Sequence, residues 1–300
     1  MDNIDAIQIN FNQDNLFALN LSLAFLMFAV SLSIKVDDFK NVFKNPKLPI
    51  IGLISQLLLL PILTLGLILL FDPPASLALG MVLIGVCPGG NISNYAVFLA
   101  KANTALSVML TAINTLGSVI ITPLAFVFWA NMLPKTAALT QEIAVEPIQM
   151  IQVIFTIIII PLIIGMYLNH NYPDFVKKID VFMRRSSMFL FISFVVVGIL
   201  TNYNNIIDYV GLVFLIVLVY NTAALIMGYA FAKTWRLSDY DARAISIETG
   251  IQNTGLALIL IFNFFDGRGG MALIAAWWGI WHIISSFLLA TYWGKRPVEK

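Results

Sequence analysis

Charge is scarce in this chain, and so is every residue that builds a reactive metal or redox centre. Asp, Glu, Lys and Arg together make up 11% of 300 residues, with one cysteine and two histidines. A lone Cys87 excludes an intramolecular disulfide and a thiolate metal cluster. With a net charge of +1 and no basic stripe, the chain has no footprint for nucleic acid. Residues 1–14 carry Asp2, Asp5 and Asp14 but no Lys or Arg, which is not the pattern of a signal peptide. No HExxH, GxSxG, phosphate-loop or CxxC motif occurs, so the chain is not expected to be an enzyme, and no soluble domain is present to relay a signal.

What is abundant is apolar side chain, at 60% with a mean hydropathy of +0.90. That composition belongs to an all-α polytopic membrane protein. Runs of about 20 apolar residues match a hydrocarbon core of roughly 30 Å. Nine transmembrane helices are expected, over 15–34, 48–71, 77–100, 104–131, 148–169, 186–201, 210–232, 245–265 and 271–293. Alternation then puts Lys35, Lys40, Lys44, Lys47, Lys101, Lys177, Lys178, Arg184, Arg185, Lys233, Arg236, Arg243, Lys295, Arg296 and Lys300 on one side, leaving Lys135 and Arg268 on the other. The basic side is cytoplasmic. A cell inner (cytoplasmic) membrane location follows, with a 1–14 tail outside and a 294–300 tail inside. Asn20-Leu-Ser22 and Asn91-Ile-Ser93 fit the glycosylation pattern but lie within spans.

Two spans are interrupted. The third contains CPGGNISN (87–94) and the eighth contains ISIETGIQNTG (245–255). These are the third members of two groups of four, spans 1–4 and 6–9, which the linking fifth span turns into an inverted repeat. The second members each carry a mid-span amide, Gln56 and Asn221. Interrupted helices at corresponding places in two inverted halves point to a substrate and ion site near the midplane. A break leaves carbonyls at one helix end and N–H groups at the other, which attract a cation and an anion respectively.

Of the sixteen acidic residues only Glu248 falls inside a span, and no Lys or Arg within a span is there to pair with it. An intramembrane carboxylate is a functional candidate by default. Its partner is a bound cation, or a proton. Neutral oxygens suited to a hard monovalent ion gather in the same motifs: Gln56, Ser93, Asn94, Ser107, Thr111, Gln252 and carbonyls near Thr249 and Ile251. Ser107 and Thr111 share a helical face, although taken alone such residues also serve helix packing. A single carboxylate among neutral oxygens suits Na⁺ better than Ca²⁺. Cys87 reads as a small buried apolar residue, and Trp277, Trp278 and Trp281 as packing or interface residues. His282 is either a packing histidine or a contact to substrate or proton.

The stretches CPGGNISN, ALSVMLTAINT, SIETGIQN and WHIISSFLLATYW resemble the bile acid:sodium symporter family, over about residues 15–293. The likeness is that of a bacterial homologue of the apical and hepatic sodium-dependent bile acid carriers. It implies a core domain with two crossing discontinuous helices and a separate panel domain, working by alternating access. It implies two Na⁺ ions, the first at Ser93, Asn94, Ser107, Thr111 and Glu248. The second would use Gln56, Glu248, Gln252 and the carbonyls of Thr249 and Ile251. It nominates Asn91, Ile92 and Asn253 beside His282 for the substrate, an organic anion that is bile acid-like or a small carboxylate such as pantoate. The expected function is sodium-coupled import of that anion. The alternative is a proton-coupled carrier or an anion exporter on the same scaffold. Membrane lipids are the surroundings, and nothing points to an obligate protein partner.

Overall fold

The structure is a computed structural model, described here for residues 4–5, 13–32, 46–143, 146–201 and 209–298. Lys35, Lys40, Lys44 and Lys300, the end of the first expected span at 33–34 and most of the 1–14 tail lie outside the described residues. Among the described residues there are twelve helices and no strand. They are α1 (Gln13–Ser31), α2 (Lys47–Phe71), α3 (Ala75–Val86), α4 (Ile92–Leu99), α5 (Thr104–Ala130) and α6 (Pro134–Ile143). There follow α7 (Pro147–Asn171), α8 (Pro173–Thr201), α9 (Val210–Thr234), α10 (Asp239–Gly250), α11 (Thr254–Phe264) and α12 (Gly269–Gly294). Five of these, α2, α5, α7, α9 and α12, are long and apolar enough to cross a membrane; α3, α11 and Leu16–Ser31 of α1 are shorter apolar helices. The protein is a multi-pass, all-helical membrane protein.

Two of the long helices contain a π turn, at Ser55–Leu59 in α2 and Phe155–Ile159 in α7. Each stands just before a proline, Pro61 or Pro161. A proline ring clashes with the carbonyl four residues back and supplies no N–H, so a widened turn relieves the contact without ending the helix. In α2 the wide turn carries Ser55 and Gln56, both buried.

Both expected interruptions are present. Cys87 takes extended backbone (φ −67°, ψ 150°), as the residue before Pro88 prefers, and ends α3. Ile251 (φ −110°, ψ 118°) ends α10. The two broken segments run antiparallel and pair with one another: Gly90 N–H donates to Ile251 O at 3.2 Å, and Asn253 N–H to Pro88 O at 2.8 Å. Each break thus satisfies part of the other's orphaned backbone, which water cannot do at this depth. A side chain at Gly90 would meet Ile251 Cγ2 at 3.1 Å and Gln252 O at 3.2 Å, so glycine is what lets the strands approach.

This crossing divides the interior. One apolar cluster gathers α3, α11 and the first half of α12 with parts of α1, α7 and α9. A smaller one gathers α4, α10 and the start of α5. A polar layer lies between them, where the breaks cross. Every residue of α3 is buried from Ser76 to Val86, which explains why that helix is apolar on all sides. At its N-terminus, Asp5 accepts from Ser76 N at 2.7 Å and Ala75 N at 3.3 Å, capping it from a distant part of the chain. The two basic residues set apart from the other fifteen both have partners. Lys135 binds Asp72 at 2.5 Å, and Arg268 binds Glu142 and the Asp5 carbonyl, each at 3.0 Å.

Candidate functional site

Glu248 lies in the last turn of α10 and is completely buried. Among the described residues it forms no ion pair. Its carboxylate is instead surrounded by neutral donors from three other helices, and its two oxygens face different groups apart from Thr111, which reaches both. Oε1 accepts from the hydroxyls of Ser93 (α4) and Ser107 (α5), and from Thr111 Oγ1 at 3.0 Å. Oε2 accepts from Thr111 at 3.2 Å and from Gln56 Nε2 of α2 at 3.5 Å. Asn94 completes the Oε1 side, its Oδ1 lying 2.8 Å from Ser107 Oγ and 3.4 Å from Thr111 Oγ1, whose single protons it shares with the carboxylate. The five side chains expected for a first ion are therefore in one cluster.

The second expected set is also together, on the Oε2 side. Gln56 Nε2 donates to the Glu248 carbonyl at 2.6 Å. Gln252 Nε2 donates to Thr249 O at 3.1 Å, while its buried Oε1 has no hydrogen-bond partner. Ile251 O accepts the Gly90 N–H already described, and one lone pair of each of these two carbonyls is left. Gln56, the Glu248 carboxylate and the Ile251 carbonyl face Gly89. A β-carbon there would lie 3.0 Å from Glu248 Oε2, 3.2 Å from Gln56 Nε2 and 3.7 Å from Ile251 O. The donor set fits a hard monovalent cation: one carboxylate, hydroxyls, amides and carbonyls, with an orphaned acceptor oxygen buried beside them. Among the described residues no three His, Cys, Asp or Glu side chains gather as a transition-metal site would require.

The residues expected to contact substrate are less closely joined. Asn91 precedes α4 and gives it no side-chain cap; the Ser93 N–H donates to Gly90 O at 3.0 Å instead. Asn253 does cap its own helix, its Oδ1 accepting from Leu256 N at 3.0 Å, which leaves its NH₂ end for other contacts. Ile92 is partly buried beside the smaller apolar cluster. His282 is buried on α12, and its Nδ1 has no hydrogen-bond partner. It stands one turn beyond Gly279, whose β-position would lie 2.9 Å from Thr254 Oγ1, but no hydrogen bond joins it to Asn91, Ile92 or Asn253 among the described residues.

Two groups outside the sequence-derived ion sets belong to the same polar layer. Ser55 Oγ shares a hydrogen bond with Thr249 Oγ1 at 2.8 Å, tying α2 to α10. Asn114 of α5 donates to Gln56 Oε1. Its place was visible in the spacing, since 107, 111 and 114 follow one helical face. Asn221, the amide noted at the corresponding place to Gln56, donates to Gly250 O at 2.7 Å and accepts from Ser285 at 2.5 Å. Both mid-span amides thus hold carbonyls at the end of α10. The aromatic residues pack: Trp278 meets Tyr220 edge-on at 4.6 Å, and Trp277 and Trp281 meet Phe214 at 5.7 Å. Cys87 is buried and free.

Residues 20–209 match the model of the sodium bile acid symporter family. An uncharacterized sodium-dependent transporter, YocS of Bacillus subtilis (strain 168), is 32% identical over 282 residues, covering 94% of this chain and 84% of that protein. The probable chloroplastic sodium/metabolite cotransporter BASS2 of Oryza sativa subsp. japonica is 27% identical over 277 residues, covering 92% of this chain and 64% of that longer protein. The corresponding BASS1 of Arabidopsis thaliana is 27% identical over 281 residues, covering 93% and 67%. With its buried carboxylate ringed by neutral oxygens where two broken helices cross, the chain belongs to the sodium bile acid symporter family, a family of sodium-dependent membrane transporters and not of enzymes.

Proposed function

We propose that this protein imports an organic anion together with two Na⁺ ions by alternating access. The observation that carries the reading is the environment of Glu248. A buried carboxylate without a cationic side chain, facing hydroxyls and amide oxygens on one side and carbonyls on the other, is a cage that a proton does not need. Because Ser93 and Ser107 serve Oε1 and Gln56 serves Oε2, one ion lies on the Oε1 side with Ser93, Asn94, Ser107 and Thr111. The other lies on the Oε2 side with Gln56, Gln252 and the carbonyls of Thr249 and Ile251. Each ion offsets part of one negative charge, and both draw α4, α5 and α2 onto α10. The hydroxyls that now donate to the carboxylate rotate to present lone pairs to the ion.

Sodium binding in this way sets the crossing of the broken helices, and with it the substrate site. The uncapped start of α4 at Asn91 and Ile92 offers N–H groups and a positive helix end to an anion. The Asn253 NH₂ and the unpartnered His282 Nδ1 are the further polar contacts. The substrate class is an organic acid, either bile acid-like or a small carboxylate such as pantoate; the names of the chloroplastic relatives, probable sodium/metabolite cotransporters, favour a metabolite-sized anion.

The architecture in which this works has nine spans in a cell inner membrane, N-terminus outside and C-terminus cytoplasmic. Residues 15–131 and 186–293 form the inverted repeat, 148–169 links them, and 1–14 and 294–300 are tails. A core that carries the two broken helices moves against a separate panel. The paired breaks and the matching roles of Gln56 and Asn221 support the repeat. Purified protein is compared in Na⁺ and choline buffers, wild type against Glu248→Gln. Na⁺ stabilises the wild type and not the variant, since a ligand bound only by the folded state raises its stability. If Na⁺ does nothing while stability follows pH through Glu248, the carrier is proton-coupled and the sodium reading is wrong.

A further inference from the structure

Gln56 faces the second cation position with the wrong end of its amide. Its NH₂ points at the Glu248 carbonyl (2.6 Å) and Oε2 (3.5 Å), while its Oε1, the atom able to ligate a cation, accepts from Asn114 Nδ2. Asn114 is 2% exposed, and its own Oδ1 has no hydrogen-bond partner. A buried acceptor left bare in a membrane protein is costly and asks for an explanation.

The two amides share one contact that works in either direction. Turned over together, Gln56 Nε2 donates to the bare Asn114 Oδ1, and Gln56 Oε1 faces Glu248 Oε2 across the space beside Gly89. Two oxygens in such proximity repel each other unless a cation sits between them. In the arrangement observed here, the NH₂ of Gln56 takes that cation's place against the carboxylate. We propose that Asn114 is a positioning residue for the second Na⁺, holding the Gln56 amide in one orientation without the ion and in the opposite one with it. This rests on the reading of Gln56 and Glu248 as cation ligands. Asn114 itself touches no ion and acts through Gln56, as outer partners of metal ligands do.

The test is a Na⁺ titration of thermal stability, in choline-balanced buffer, on the purified wild type, Gln56→Ala, Asn114→Leu and the double variant. Asn114→Leu keeps the volume and removes both polar ends, and it raises the Na⁺ midpoint by about tenfold. The double variant is no worse than Gln56→Ala alone, because the effect of Asn114 passes through that side chain. Asn114→Thr, whose hydroxyl both donates and accepts, recovers part of the affinity and carries the test if the leucine variant does not fold. The proposal is overturned if both Asn114 variants lower stability equally in Na⁺ and choline with the midpoint unmoved while Gln56→Ala shifts it, or if the two effects simply add. If Gln56→Ala leaves the Na⁺ midpoint unchanged, the reading of the second site falls, and the proposal with it.

Discussion

Replacing Gly89 by alanine separates the two proposed cation positions without substituting a single ligand. Backbone strain is not at issue, because Gly89 is not among the residues with positive φ. The new methyl lies 3.0 Å from Glu248 Oε2, 3.2 Å from Gln56 Nε2 and 3.7 Å from Ile251 O, filling the space between three of the groups assigned to the second ion. None of these three nearest atoms belongs to Ser93 or Ser107, which bond Oε1. A site loaded at one hundred times its dissociation constant adds about 2.7 kcal/mol to stability, so two sites add about 5.4 kcal/mol and one site half of that. Overpacking adds a penalty of about 1–3 kcal/mol, but it is present in choline as well as in Na⁺ and drops out of the comparison. Differential scanning fluorimetry across a Na⁺ series therefore gives a wild-type gain about twice that of Gly89→Ala, and the cooperativity of the Na⁺ dependence falls from about two ions toward one, as expected from linkage. An alanine variant with the full Na⁺ response and unchanged cooperativity would refute the placement of an ion beside Gly89.

Two substitutions probe structure apart from ion binding. Asn221→Leu leaves Gly250 O and Ser285 without the partners they have at 2.7 Å and 2.5 Å, and it lowers stability by about 1–3 kcal/mol in Na⁺ and choline alike; a shift confined to Na⁺ buffer would show that Asn221 serves the ion instead. Trp278→Ala removes a fully buried ring packed edge-on against Tyr220, and chemical or thermal unfolding registers a loss of about 3–5 kcal/mol, against less than about 1 kcal/mol if that helix face is loosely packed.

Much of this was legible in the sequence because in lipid a few residues are forced into special roles. A carboxylate amid apolar residues needs a partner wherever the chain goes, which singled out Glu248 before any contact was known. Pro88 and the glycines around it cannot continue a helix, so the break in the third span was readable from composition alone. The two π turns were not. Pro61 and Pro161 signal a disturbance, but whether a helix kinks, ends or widens depends on what its neighbours demand of the freed carbonyl.

The sequence by itself determined that the chain is a membrane protein, that two helices break, and that one buried carboxylate and a set of neutral oxygens lie at the breaks. Those follow from period, length and the high cost of unpaired polarity away from water. Only the tertiary structure decided which donor meets which carboxylate oxygen, with Ser93 and Ser107 on one, Gln56 on the other, Thr111 on both, and Asn114 behind Gln56. It also decided that the breaks pair with each other, Gly90 to Ile251 and Pro88 to Asn253. The pairings to Glu248 and between the breaks join residues more than 130 positions apart, and no local pattern encodes which orphaned group will meet which. That is settled by the packing of α2, α4 and α5 around the end of α10.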